Sequence, residues 1–98
     1  MKVRYTDTAV AEINEIYSYI SADNPAAAVA VLSQIEHTIA LVAHLPRIGP
    51  IKYRGVVRML PLRHYPQYLL FYSIENEEVV VLNLRHSARS RPWHDDSD

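Results

Sequence analysis

The sequence predicts an α+β fold: a short N-terminal strand and an antiparallel helical hairpin, followed by a three-stranded antiparallel meander packed on the helices. In the first half, apolar residues recur at helical spacing in two stretches divided by Asn24-Pro25. After Gly55 the period becomes that of strands, and the intervening turns are too short to hold a crossover helix. The run Val79-Val80-Val81-Leu82-Asn83-Leu84 has five apolar residues out of six, too many for an exposed edge, so it reads as the centre of the sheet.

Each element has its own local signal. Val3 and Tyr5 alternate with Lys2 and Arg4, as in a strand with one buried face. Thr6, Asp7 or Thr8 is a suitable cap for a first helix, in which Ala9, Ile13, Ile16, Tyr17 and Ile20 form a stripe and Glu12 and Glu15 turn outward. That helix is expected to end near Ser21 to Asp23. Asn24 then caps a second helix whose first position is proline, which loses no hydrogen bond there. Ala28, Leu32, Ile35, Ile39 and Val42 line this helix until Pro46 forces its end near His44. Strands are expected at about 56–61, 67–74 and 78–85.

The expected register follows from the short turn at Glu75 to Glu78. If Ile74 faces Val79, then Tyr72 meets Val81, Leu70 meets Asn83 and Tyr68 meets Arg85. Leu69, Phe71, Val80, Leu82 and Leu84 then face the helices, and His86 ends that row. Tyr68, Leu70, Tyr72, Ile74, Val79, Val81, Asn83 and Arg85 take the other face. A turn at Arg63-His64-Tyr65 pairs Arg58 near Leu70 and gathers Arg58, Arg85, Tyr68 and Tyr72 on that second face. Its apolar end, with Val29, Ala30 and Val31 on the second helix, amounts to surface that asks for a partner, either a different protein or a second copy.

Composition bounds the function. The 98 residues have room for one domain, which at this size buries roughly 65% of its unfolded surface. There is no cysteine, hence no disulfide and no thiolate metal site. The N-terminus lacks the apolar run of a signal peptide, and no stretch is expected to approach the roughly 18 apolar residues of a membrane span, so a cytoplasmic protein is expected. The net charge of -1 conceals segregation, because no acid lies between Glu36 and Glu75 while Arg47, Lys52, Arg54, Arg58 and Arg63 do. The histidines match no ligand spacing, and there is no glycine-rich phosphate loop or serine elbow; no metal and no cofactor are expected.

The ordered set Asn24-Pro25-Ala26-Ala27, Leu45-Pro46 with Gly49, Val57-Arg58, Tyr68-Leu69-Leu70-Phe71-Tyr72 and His86-Ser87-Ala88-Arg89 resembles the ParE/RelE superfamily of type II toxins. The likeness covers residues 1–91, read as a single toxin domain, and leaves 92–98 as an acidic tail. The tyrosine-flanked strand and the His-x-x-Arg ending look more like the ParE branch. The resemblance implies neutralisation by a cognate antitoxin in a hetero-oligomer, and DNA gyrase as target. RelE-like relatives instead cut messenger RNA on the ribosome, using lysines, arginines and a tyrosine near the C-terminus. Lys52 and Arg54 match the lysines' place, and Arg58 and Arg85 that of the arginines, but no tyrosine follows Tyr72.

No catalytic residue is assigned; the candidates for a nuclease are Arg58, Arg85 and His86, histidine being the side chain that titrates nearest neutrality. Arg58, Arg63, Arg85 and Arg89 are the expected target contacts, and Tyr68, Leu70, Tyr72 and Val81 the expected antitoxin contacts. The alternative for Arg58 and Arg85 is that of ordinary strand arginines whose stems cover apolar surface. For His86 it is a hydrogen-bonded group at the rim of the core. Trp93 reads either as a lid on the domain or as a residue that meets a partner.

Overall fold

The computed structural model describes residues 1–88. Strand β1 (Lys2–Tyr5) leads into helices α1 (Asp7–Ser21) and α2 (Pro25–His44), followed by strands β2 (Ile51–Tyr53), β3 (Val57–Pro61), β4 (Tyr68–Glu75) and β5 (Glu78–His86). The strands form one sheet in the order β1-β5-β4-β3-β2, parallel between β1 and β5 and antiparallel elsewhere. The expected α+β order holds, and β5 is interior between β1 and β4. Strand β2 is an addition: its three residues carry no alternation that marks them in the sequence.

The helix starts follow from the caps. Thr6 accepts the Ala9 N–H at 3.0 Å and Asn24 accepts the Ala27 N–H at 3.1 Å, each satisfying one of the unpaired donors of a first turn. On α2, Ala28, Val31, Ile35, Thr38, Ile39 and Val42 are buried. Val31 therefore belongs to the core rather than to a second apolar surface. The helix is long and apolar enough to cross a membrane by composition, with mean hydropathy 1.6 and a third of that window buried, which corrects the expectation that no segment approaches a span. Its buried residues pack with α1 and the sheet in one core.

The largest correction concerns the sheet's faces. From Ile74↔Val79 to Tyr72↔Val81 the pairing is as expected, but Phe71 then pairs with Asn83 rather than Leu82. Leu82 is an extra residue in β5, a β-bulge that exchanges the two faces beyond it. Val79, Val81 and Leu84 accordingly face the helices together with Leu70 and Tyr72 of β4, all of them 1% exposed or less. Val80, Leu82, Leu69 and Phe71, expected against the helices, do not belong to that core. Phe71 and Val80 are buried on the opposite face, where the Tyr53 ring lies 6.4 Å from that of Phe71.

Tyr72 is a core residue despite its hydroxyl because that hydroxyl is fully used. It donates to the Pro46 carbonyl at 2.7 Å and accepts the Gly49 N–H at 2.9 Å, pinning the loop between α2 and β2 to the sheet. Gly49 is required by this approach, since a Cβ there would lie 2.8 Å from the Tyr72 oxygen and 3.0 Å from the Met59 carbonyl. Burial raises the Tyr72 pKa above the usual tyrosine value, offset in part by the Gly49 hydrogen bond and the Arg58 charge.

Tyr72→Phe leaves two loop backbone groups without a partner and is expected to cost about 1–3 kcal/mol in urea denaturation. A raised pKa means that the native state holds this proton more tightly than the unfolded chain does. The associated stability is thus fully present below about pH 10 and is lost as pH rises through the native-state value. Wild-type stability should fall more steeply at alkaline pH than that of Tyr72→Phe.

Candidate functional site

The expected cluster of Arg58 and Arg85 divides into two places. Arg58 pairs across the sheet with Tyr72, not with Leu70, and so lies on the helix-side face. Its guanidinium donates to the Gly49 carbonyl at 2.7 Å and reaches the Arg47 carbonyl at 3.4 Å. It is the second fastening of the loop that Tyr72 holds. Arg85 pairs with Leu69, which belongs to the opposite face by alternation along β4.

Around Arg85 is a site that the sequence only half revealed. Strand β1 ends at Tyr5 opposite Val81, while β5 continues to His86, so the last part of β5 has no strand beside it on that side. Helix α1 fills the step. Thr6 donates through its N–H to the Val81 carbonyl at 3.1 Å and through Oγ1 to the Leu82 carbonyl at 3.0 Å, which satisfies the bulge. Further along α1, the Glu12 carboxylate accepts from the Leu84 N–H at 3.0 Å, Asn83 Nδ2 at 3.1 Å and Arg85 Nε at 2.7 Å. The Glu12 and Arg85 side chains are 15% and 21% exposed, so this is a largely desolvated, charge-assisted pair.

Beyond it opens a groove of about 520 Å³ between α1 and the end of β5, lined among others by Ile16, Tyr19, Tyr68, Arg85 and His86. Tyr68 pairs with His86, and the two rings meet edge to face at 5.2 Å. His86 Nδ1 accepts the Ala88 N–H at 3.0 Å, so the neutral ring carries its proton on Nε2. Arg85, His86 and Tyr68 thus line one groove, but the expected cluster is not formed: Tyr68 pairs with His86 rather than with Arg85, Tyr72 lies in the core, and Arg58 is elsewhere. Arg63 is exposed in the turn after β3. Leu70, Tyr72 and Val81, expected as antitoxin contacts, are buried beneath the helices and present no surface; of that set only Tyr68 lines the groove. Arg89, Trp93 and the acidic tail lie outside the described residues.

Glu12, expected to turn outward, is instead the centre of this site; its one sequence signal is that it stands on the same side of α1 as Ile16, one turn away. Chemically, the arrangement is a carboxylate spent on three donors and a guanidinium spent on that carboxylate. It holds a helix to a strand.

Residues 3–91 match the family model described as ParE toxin of type II toxin-antitoxin system, parDE. The chain belongs to the ParE toxin family. Among solved structures, this ParE-family chain is similar to one from the chromosomal ParDE toxin-antitoxin system of P. aeruginosa, with 20% identity, TM-score 0.70, and coverage of 88% of this chain and 95% of that one. It is also similar to the isolated E. coli RelE toxin, with 19% identity, TM-score 0.67, and coverage of 98% and 94%. At these identities the two structures speak for the fold. No curated protein matches the sequence significantly. Family membership makes this chain the toxin component of a type II toxin-antitoxin system and implies a cognate antitoxin.

Replacing Glu12 tests the edge. Glu12→Ala strands a backbone N–H, an amide and a guanidinium together, with an expected loss of about 2–4 kcal/mol. Glu12→Gln keeps an oxygen for Leu84 and Asn83 but sets an amide NH2 in place of the oxygen that accepts from Arg85, so chemical denaturation should rank it between Glu12→Ala and wild type.

Proposed function

We propose that this toxin is a non-catalytic poison of DNA gyrase, working in the cytoplasm and held silent there by its antitoxin in a hetero-oligomer. The observation that carries this reading is the engagement of both strand arginines. A ribonuclease that uses the 2′-hydroxyl as nucleophile needs a cationic clamp for the phosphate, with a base and an acid beside it. Arg58 is turned onto loop carbonyls, Arg85 onto Glu12, and the two belong to opposite faces of the sheet. No tyrosine follows Tyr72 in the sequence. His86 has one ring nitrogen committed to a backbone N–H. What the chain does offer is binding surface: a groove at one side of the sheet and a series of exposed cations at the other. A target bound as protein, with the chemistry left to the target's own active site, suits that inventory.

Purified toxin added to gyrase and plasmid DNA is expected to trap cleavage complexes or abolish supercoiling, with both effects reversed by the antitoxin. Messages isolated during growth arrest should stay intact. Codon-linked cuts in those messages that vanish in Arg58→Ala, at unchanged stability, are the outcome that assigns the toxin to the ribosome instead.

A further inference from the structure

The charge pattern that composition hides has a definite place in the fold. The chain from Leu45 to Val56, which is the loop after α2, strand β2 and the turn into β3, forms the sheet edge farthest from β1. Leu45, Ile48, Ile51 and Val56 are exposed along it, from 41% to 60%, interleaved with exposed Arg47, Lys52 and Arg54, and the segment carries no acid. Aliphatic side chains give no face on which bases stack, which disfavours single-stranded nucleic acid as the occupant. Apolar anchors flanked by cations suit a protein surface of acidic and apolar residues.

The backbone here argues against an added strand. β2 is three residues long, and it pairs Ile51 with Arg58 and Tyr53 with Val57, so Lys52 is an extra, bulged residue. A short, bulged edge bearing lysine is the usual protection against strand addition. The tip is also unusual. Arg54 (φ 53°) and Gly55 (φ 71°) make a two-residue turn closed by the Val56 N–H to the Tyr53 carbonyl, and a long cation stands where Asn or Gly is the ordinary choice.

We infer that this edge is the seat of an acidic amphipathic helix of the antitoxin, which covers the aliphatic side chains and pairs with Lys52 and Arg54. The inference rests on the antitoxin partnership implied by the family. In the resting cell the antitoxin is the partner available to cover an exposed apolar edge, and side-chain recognition by a helix is the mode that a bulged strand leaves open.

The test uses the full-length toxin and the antitoxin encoded beside it, with affinity measured by calorimetry at low and high salt. Lys52→Glu with Arg54→Gly, a glycine that the turn accepts, should weaken binding about tenfold at low salt, and the gap should narrow as salt rises. Ile51→Ser with Val56→Ser should also weaken it about tenfold, but independently of salt. Lys2→Glu, on the far edge, serves as the charge control and should leave affinity unchanged. Matching thermal unfolding shows that each variant is folded. Unchanged affinity in both double variants overturns the inference while leaving the antitoxin partnership intact. Failure of the wild-type toxin to bind the antitoxin overturns both. Loss of DNA or RNA binding at undiminished antitoxin affinity gives the edge to nucleic acid and likewise overturns the inference.

Discussion

Leu82 sets which side chains of this protein are inside. A single extra residue between Val81 and Asn83 lets Val79 and Val81 face the helices on one side of the bulge and Leu84 do so on the other. Without it, strict alternation would turn Leu84 outward and bring Asn83 into the core. A bulge leaves its own backbone partly unpaired, and here α1 supplies the partners. Thr6 takes up the Val81 and Leu82 carbonyls in the same residue that caps the helix, and Glu12 takes up the Leu84 N–H. The helix start, the bulge and the end of β5 therefore form one cooperative unit.

Tyr72 plays the complementary part at the other side of the sheet. A buried tyrosine is tolerable only when its hydroxyl is paired, and the loop from Pro46 to Gly49 supplies both a carbonyl and an N–H to it. The same loop receives Arg58, so a large aromatic core residue and a cation are satisfied by one four-residue stretch of backbone. Proline and glycine at its ends are what make the stretch fit: proline stops α2, and Gly49 lets the backbone approach the ring.

Features with a local cause were legible in the sequence. Asn24-Pro25 and Thr6 act through their own side chains and the next turn, and Pro46 acts through its own ring, so helix boundaries could be read directly. The order of elements followed from period and turn length. The bulge had no such signature, because Val79 to Leu84 is apolar nearly throughout and supports either parity equally well. Regular alternation across Leu82 therefore mistakes the faces, exposing Leu70, Tyr72 and Val81 and bringing Arg58 to Arg85, neither of which the bulged strand allows. Glu12 was invisible for a related reason: on α1 alone it is a polar residue on a solvated face, and its partners are about seventy residues away in sequence.

These placements alter how the arginines bear on function. A guanidinium that fastens a loop or a helix contributes to stability, and truncating it takes a donor from loop carbonyls or from a largely buried carboxylate. Loss of toxicity on replacing Arg58 or Arg85 is therefore ambiguous, since a toxin that unfolds is as harmless as one that misses its target. Exposed cations such as Lys52, Arg54 and Arg63 fasten nothing among the described residues, and their replacement leaves the core untouched. If recognition runs through charge, it is these residues, rather than the strand arginines singled out by their place in the sequence, whose substitution separates binding from folding.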